Sequence, residues 1–180
     1  MAKAPIVTSV EVTEIEYEIA DVTTEPIIGV PIYEKGSSIR HKAHVLRINT
    51  NDGITGEYFG GNAVEYAAIP GLARLLIGKN AMDRELFYND AKQALKQQAR
   101  MGMSQVDMAL WDIAGKYHEA PIYQLLGEYR TELPAYASTM VGDDQPDGLS
   151  SPEAYADFVE QCLELGYPAY KIHWWRESSL

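Results

Sequence analysis

Lys171 and His173 stand two residues apart in the run Tyr170-Lys171-Ile172-His173. In an extended strand that spacing puts both side chains on one face. An amine beside an imidazole is a proton-transfer pair, and histidine is a competent base near neutral pH. By residue type alone the pair reads either as a strand end with two solvated polar residues or as candidate catalytic residues, Lys171 and His173. Other clusters read differently. Asp143, Asp144 and Asp147 lie between Gly142 and Gly148, the composition of a solvated acidic loop. His41 and His44 have a spacing that fits no single strand face, and they read as hairpin residues. Cys162 is the sole cysteine, so no internal disulfide forms. No metal ligand is assigned in this chain.

The elements around the pair follow from local pattern. Leu133 to Met140 reads as a strand, and residues 141–151 as a loop. Ser151-Pro152 is an N-cap followed by proline at the first helical position. Tyr155, Phe158, Val159, Cys162 and Leu163 recur at helical spacing, and Gly166 ends that helix. Pro168 to Trp175 is a second strand. Strand, helix and strand make a βαβ unit with parallel strands and a right-handed crossover.

The preceding segment has another grammar. Val10 and Val12 share one phase of alternation; Ile15, Tyr17 and Ile19 share the other, with a slip near Thr13-Glu14. Residues 21–38 carry Pro26, Gly29, Pro31 and Gly36 among apolar residues, and read as a long loop with a greasy middle. His44, Leu46 and Ile48 alternate, Asn51-Asp52-Gly53 turns the chain, and Ile54 to Phe59 returns. Helices are predicted over 63–77, interrupted at Pro70-Gly71, and over 83–98. A third starts from a Ser104 N-cap, with Asp107 completing a capping box and Val106, Ala109, Leu110, Ile113, Ala114 and Tyr117 on its apolar face. Trp111 and Met108 read as core or domain-interface packing, and Asp112 as a helix-surface residue. Pro121 opens a short helix that Gly127 closes. The boundary between the two grammars falls near Tyr129 to Leu133.

Composition excludes several functions. Of 180 residues, 46% are hydrophobic and 23% charged, which is ordinary for a globular chain. A formal net charge of −11 repels phosphate backbones and gives no reason to expect nucleic acid or an anionic membrane as partner. No apolar run has the length of a spanning helix, and the N-terminus lacks a signal-peptide layout. A cytoplasmic location is expected.

The order of elements resembles the enolase superfamily, of the mandelate racemase and muconate lactonizing type. Asp52-Gly53-Ile54-Thr55-Gly56-Glu57 looks like the family's hairpin. Residues 106–116, Val-Asp-Met-Ala-Leu-Trp-Asp-Ile-Ala-Gly-Lys, look like its signature helix, and residues 121–127 like the short helix that follows. Lys171-x-His173 sits where the family carries Lys-x-Lys. The resemblance implies an α+β N-terminal capping domain over residues 1–130, a three-stranded antiparallel sheet plus a helical bundle. Residues 131–180 would then be the incomplete start of a C-terminal β/α barrel, truncated after its second strand. Eight strands close such a barrel. Two leave Ala135, Tyr136, Ala137, Tyr170, Ile172, Trp174 and Trp175 at risk of exposure.

By the same resemblance, the intact enzyme removes the proton α to a carboxylate as a racemase, cycloisomerase or acid-sugar dehydratase. Its substrate is a small carboxylate or acid sugar. Magnesium stabilises the resulting dianion, held by acidic residues from later barrel strands that this chain does not contain. Residues 21–38 match the family's substrate lid, with Ile27, Val30, Ile32 and Tyr33 lining the pocket. Tyr58 matches a second substrate-facing loop. A homo-oligomer is expected. The family places lysine where this chain has His173, which argues against two-lysine racemase chemistry. Alone, the 180-residue chain is expected to be inactive; the alternative is a non-catalytic interaction module, or a subunit completed by another chain.

Overall fold

A computed structural model describes residues 4–26, 29–139 and 148–172. Strands β1 (Val7–Thr24), β2 (Pro31–Thr50) and β3 (Thr55–Phe59) form one sheet in that order. β2 and β3 are antiparallel, in register from Val45 against Phe59 to Asn49 against Thr55. β1 also opposes β2. Thr8 Oγ1 donates to the carbonyl of Asn49 (3.1 Å), and Lys42 Nζ donates to Glu14 Oε1 (2.7 Å). Charge helps to set this register, because β1 carries acids where β2 carries bases. Lys42 beside it holds the Glu14 carboxyl below its ordinary range.

The β2–β3 turn is built as its sequence demands. Asp52 Oδ1 accepts from the amide of Ile54 (3.2 Å), and Gly53 takes φ 88°, a value that favours glycine. Residues 21–38, by contrast, are not a long loop. β1 runs to Thr24 and β2 begins at Pro31, so only residues 25–30 connect them. The Glu25 amide donates to the Val30 carbonyl (2.9 Å) and the Gly29 amide to the Glu25 carbonyl (3.0 Å). The breakers were absorbed locally. Pro31 is the first strand residue, where its missing N–H is tolerated. Gly36 lies inside β2 with φ 84° and donates its amide to the carboxylate of Asp21 (2.8 Å).

Helices follow. α1 (Ala63–Ala67) has a full capping box. Asn62 accepts from the amides of Val64 and Glu65, and Glu65 accepts from the amide of Asn62. α2 (Ile69–Leu76) starts one residue before Pro70, so the expected interruption falls at Ala68 and the proline occupies a first turn. α3 (Arg84–Ala94) is shorter than the pattern suggested.

α4 (Met103–Tyr117) is capped by Gly102 at φ 81°, not by Ser104, whose hydroxyl instead donates to Gln105 Oε1. Packing explains the shift: a Cβ on residue 102 would lie 2.6 Å from the Glu65 carbonyl oxygen. α5 (Ile122–Leu125) follows Pro121.

Leu46 and Ile48 of β2, Ile69 and Leu72 of α2, Phe87 of α3, and Val106, Leu110 and Ile113 of α4 make one buried core. The sheet and α4 meet closely at Gly56. A Cβ there would lie 2.1 Å from the Ala109 carbonyl oxygen and 2.6 Å from Ile113 Cγ1.

Residues 130–172 hold β4 (Ala137–Ser138), α6 (Pro152–Glu164) and β5 (Tyr170–Lys171). β4 and β5 are parallel, Ala137 against Tyr170 and Ser138 against Lys171. Ser151 caps α6, accepting from the amide of Ala154 (3.2 Å). Backbone contacts divide the chain into two compact units, Met1–Glu16 with Lys42–Tyr129, and Tyr17–His41 with Arg130–Leu180. Among the described residues no helix is long and apolar enough to cross a membrane.

Candidate functional site

Lys171 ends β5 and is exposed. Its backbone is pinned to β4: the Lys171 carbonyl accepts from the amide (3.1 Å) and the hydroxyl (3.4 Å) of Thr139, which is itself buried. Phe158 of α6 packs edge-on against the neighbouring Tyr170, ring centroids 5.9 Å apart. Lys171 is thus presented from a strand end rather than from a loop. His173 lies outside the described residues, as do Ile27, Trp174, Trp175 and the aspartates 143, 144 and 147. Tyr136 and Ile172 are each 57% exposed.

Of the candidate lid residues, Val30 and Ile32 are half-buried and Tyr33 is exposed, at the start of β2. Tyr58 is half-buried and packs against the core. It pairs with Leu46 in register. Its neighbour in the electrostatic sense is Tyr66, whose phenol is pushed up to about 12 by burial, with Tyr58 and Glu65 adding to the effect. The Tyr66 hydroxyl donates to the His44 carbonyl (3.3 Å). His44 is buried, stacks on Tyr66 at 4.5 Å, and sets Nε2 3.5 Å from Glu14. It is a packed residue at the edge of the core, whereas His41 meets only Tyr17 edge-on among the described ring contacts.

A raised phenol pKa has a pH consequence. An ordinary tyrosine titrates near 10. The folded state holds the Tyr66 proton more tightly, so its contribution is complete below about pH 10 and is lost as pH rises through about 12. Urea midpoints are expected to fall over that window, and Tyr66→Phe should flatten the fall. An unchanged slope in the variant would contradict the assignment.

Asp112 has a role that periodicity alone did not show. Its Oδ2 accepts from the Glu57 amide (2.8 Å) and from Lys116 Nζ (2.7 Å), while Lys116 Nζ also donates to the Thr55 carbonyl (2.7 Å). Two side chains on successive turns of α4 thereby satisfy an N–H and a C=O of β3, as a fourth strand would. The Asp-x-x-x-Lys spacing was the available signal. Asp112→Ala is expected to cost about 1–2 kcal/mol, the loss of a charge-assisted hydrogen bond. Chemical denaturation checks this.

Among the described residues no group of three or more His, Cys, Asp or Glu side chains is placed to hold a metal ion. These residues do not fit a magnesium site, and no step is assigned to a metal here.

The three-stranded sheet, the helices on it and the parallel pair that follows define an enolase-type capping domain joined to a βαβ unit. Residues 7–127 match the model of the mandelate racemase / muconate lactonizing enzyme N-terminal domain, and the chain belongs to that family. It is 36% identical over 137 residues to a D-galactonate dehydratase family member of Pseudarthrobacter chlorophenolicus, covering 71% of this chain and 32% of the relative. It is 30% identical over 154 residues to the D-galactarolactone cycloisomerase of Agrobacterium fabrum, covering 81% and 40%. The crystal structure of a D-glucarate dehydratase from Agrobacterium tumefaciens complexed with magnesium superposes with a TM-score of 0.81 at 31% identity, covering 97% of this chain and 46% of that one. The chain therefore spans less than half the length of each of these relatives.

Proposed function

We propose that this chain supplies the substrate cap and the opening proton-transfer strand of an acid-sugar dehydratase or cycloisomerase. The observation that carries this reading is Lys171, held by Thr139 at the end of the second parallel strand in a chain of this family. Two similar proteins act on acid sugars by name, a D-glucarate dehydratase and a D-galactarolactone cycloisomerase. Lys171, with His173 two residues on, takes the proton α to the carboxylate. A lysine does this as the neutral amine, and such a base contributes about 10²–10⁴ in rate. Val30, just before the second strand, and Ile32 and Tyr33, at its start, contact the sugar chain. Magnesium ligands come from residues outside those described. The 180-residue chain alone is inactive.

The test is a chimera in which residues 1–180 replace the matching part of the Agrobacterium D-glucarate dehydratase. Dehydration of an acid sugar by the folded chimera supports the reading; a folded chimera that transforms none of D-glucarate, D-galactonate and D-xylonate overturns it.

A second reading rests on the exposure of Tyr136 and Ile172 beside a parallel pair of only two described strands. Here the chain is a non-catalytic module or a subunit that another polypeptide completes. Co-purification of a chain that pairs with β4 or β5 would favour it over the first.

A further inference from the structure

His44 is a buried titratable group that the proton-transfer reading leaves unused. It lies on β2 and is 7% exposed. Its ring stacks on Tyr66 of α1, with centroids 4.5 Å apart and planes 18° from parallel. Its Nε2 lies 3.5 Å from Glu14 Oε2 of β1. Its Nδ1 is shielded from solvent and meets no hydrogen-bond partner among the described residues. Its carbonyl accepts from the Gly60 amide (3.1 Å) and from the Tyr66 hydroxyl (3.3 Å). One residue thus holds both the turn after β3 and α1. That helix has five residues, of which Tyr66 alone is buried, so the stack on His44 is its main anchor.

We propose that His44 is an acid-operated latch: its neutral ring holds α1 and the Gly60-Gly61-Asn62 turn against β2, and its protonated ring releases them. A neutral imidazole has one N–H, which Nε2 can turn toward Glu14, and leaves Nδ1 bare. A second proton makes Nδ1 a charged donor with nothing to accept it, and a buried unpaired donor carries its full desolvation penalty. The groups around the ring do not offset this. The Glu14 side chain is 47% exposed, and ion pairs so open to solvent are weak. Lys42 of β2 already occupies that carboxylate at 2.7 Å and repels a second cation, while Glu16 of β1 lies in the field of Lys42. Glu65 of α1 is turned to the Asn62 amide (2.8 Å). Tyr58 of β3 and Tyr66 are phenols, which carry no charge in acid. The contact is therefore complete above the ordinary histidine value of about 6.5 and is lost as pH falls below it. The inference does not depend on the enzymatic reading, because it is read from local opening and not from turnover.

Amide hydrogen exchange on the 180-residue chain, corrected for intrinsic rates, tests it. From about pH 7.5 to about pH 5.5, protection of residues 60–68 should fall about tenfold, the limit that one proton sets about one unit below its ordinary value. Protection of α4 should hold. His44→Phe keeps a ring to stack but takes no proton, and His44→Gln keeps a polar side chain without titration; each should remove the fall. Glu14→Gln should leave it in place. No fall at residues 60–68, an equal fall in α4, or a fall that persists in either folded His44 variant overturns the proposal. So does loss of the fall in Glu14→Gln, which would assign the titration to the carboxylate.

Discussion

Gly56→Val is expected to leave the capping domain unfolded at room temperature, and Gly56→Ala to cost about 3 kcal/mol or more. Gly56 does not need unusual backbone angles, since it is absent from the left-handed residues. It needs space. A Cβ would meet the Ala109 carbonyl oxygen at 2.1 Å and Ile113 Cγ1 at 2.6 Å. The first of these is backbone in the middle of α4, so no rotamer change relieves the clash. Either α4 must move off the sheet or β3 must move away from it. Moving α4 off the sheet strips the buried faces of Val106, Ala109, Leu110 and Ile113 and breaks the bonds of Asp112 and Lys116 to β3. With domain stabilities of about 5–15 kcal/mol, the larger substitution exceeds the margin. Urea denaturation followed by circular dichroism gives the result. A Gly56→Ala chain within about 0.5 kcal/mol of the parent, inside the range of ordinary surface changes, would show that α4 and β3 are not held this closely.

Lys171→Met is expected to lower turnover of the chimeric enzyme by at least about a hundredfold, the lower end of what a positioned base contributes. Methionine keeps most of the side-chain length and removes the proton acceptor. Lys171 is exposed, and its backbone carbonyl accepts from the amide and hydroxyl of Thr139. The substitution therefore leaves the strand pairing intact, and thermal stability should not change. That combination separates a chemical role from a structural one. Retained turnover would remove Lys171 from the proton transfer. Lost turnover together with lost stability would show that the residue holds the fold.

Much of this architecture was legible because local signals agreed with packing. Asn51-Asp52-Gly53 turned where turn chemistry requires, and Ser151-Pro152 capped α6 as written. Val106, Ala109, Leu110, Ile113 and Ala114 gave the buried face of α4 by spacing alone. The failures share a cause. Ser104 was a sound cap by type, yet α4 starts earlier because Gly102 must pass against the Glu65 carbonyl, a contact from a distant part of the chain. The Pro and Gly content of residues 21–38 points to a loop. Thr23, Thr24, Ile32 and Tyr33 are good strand formers, and cross-strand pairing outweighed the breakers. His44 reads as a hairpin residue by sequence, and its stacking on Tyr66 of α1 is a contact between distant parts of the chain. The candidate site was legible only in part. Lys171 ends β5, while Asp112, placed on the helix surface by periodicity, bonds together with Lys116 to the edge of β3.

Exchange of the α-proton of D-glucarate in deuterated buffer containing magnesium tests the central claim most directly. Mass spectrometry reads the deuterium. The folded chimera carrying residues 1–180 should incorporate it, its Lys171→Met variant should do so at least about a hundredfold more slowly, and the 180-residue chain alone should incorporate none. Exchange by the chain alone, or equal exchange by the chimera and its Lys171→Met variant, would contradict the account.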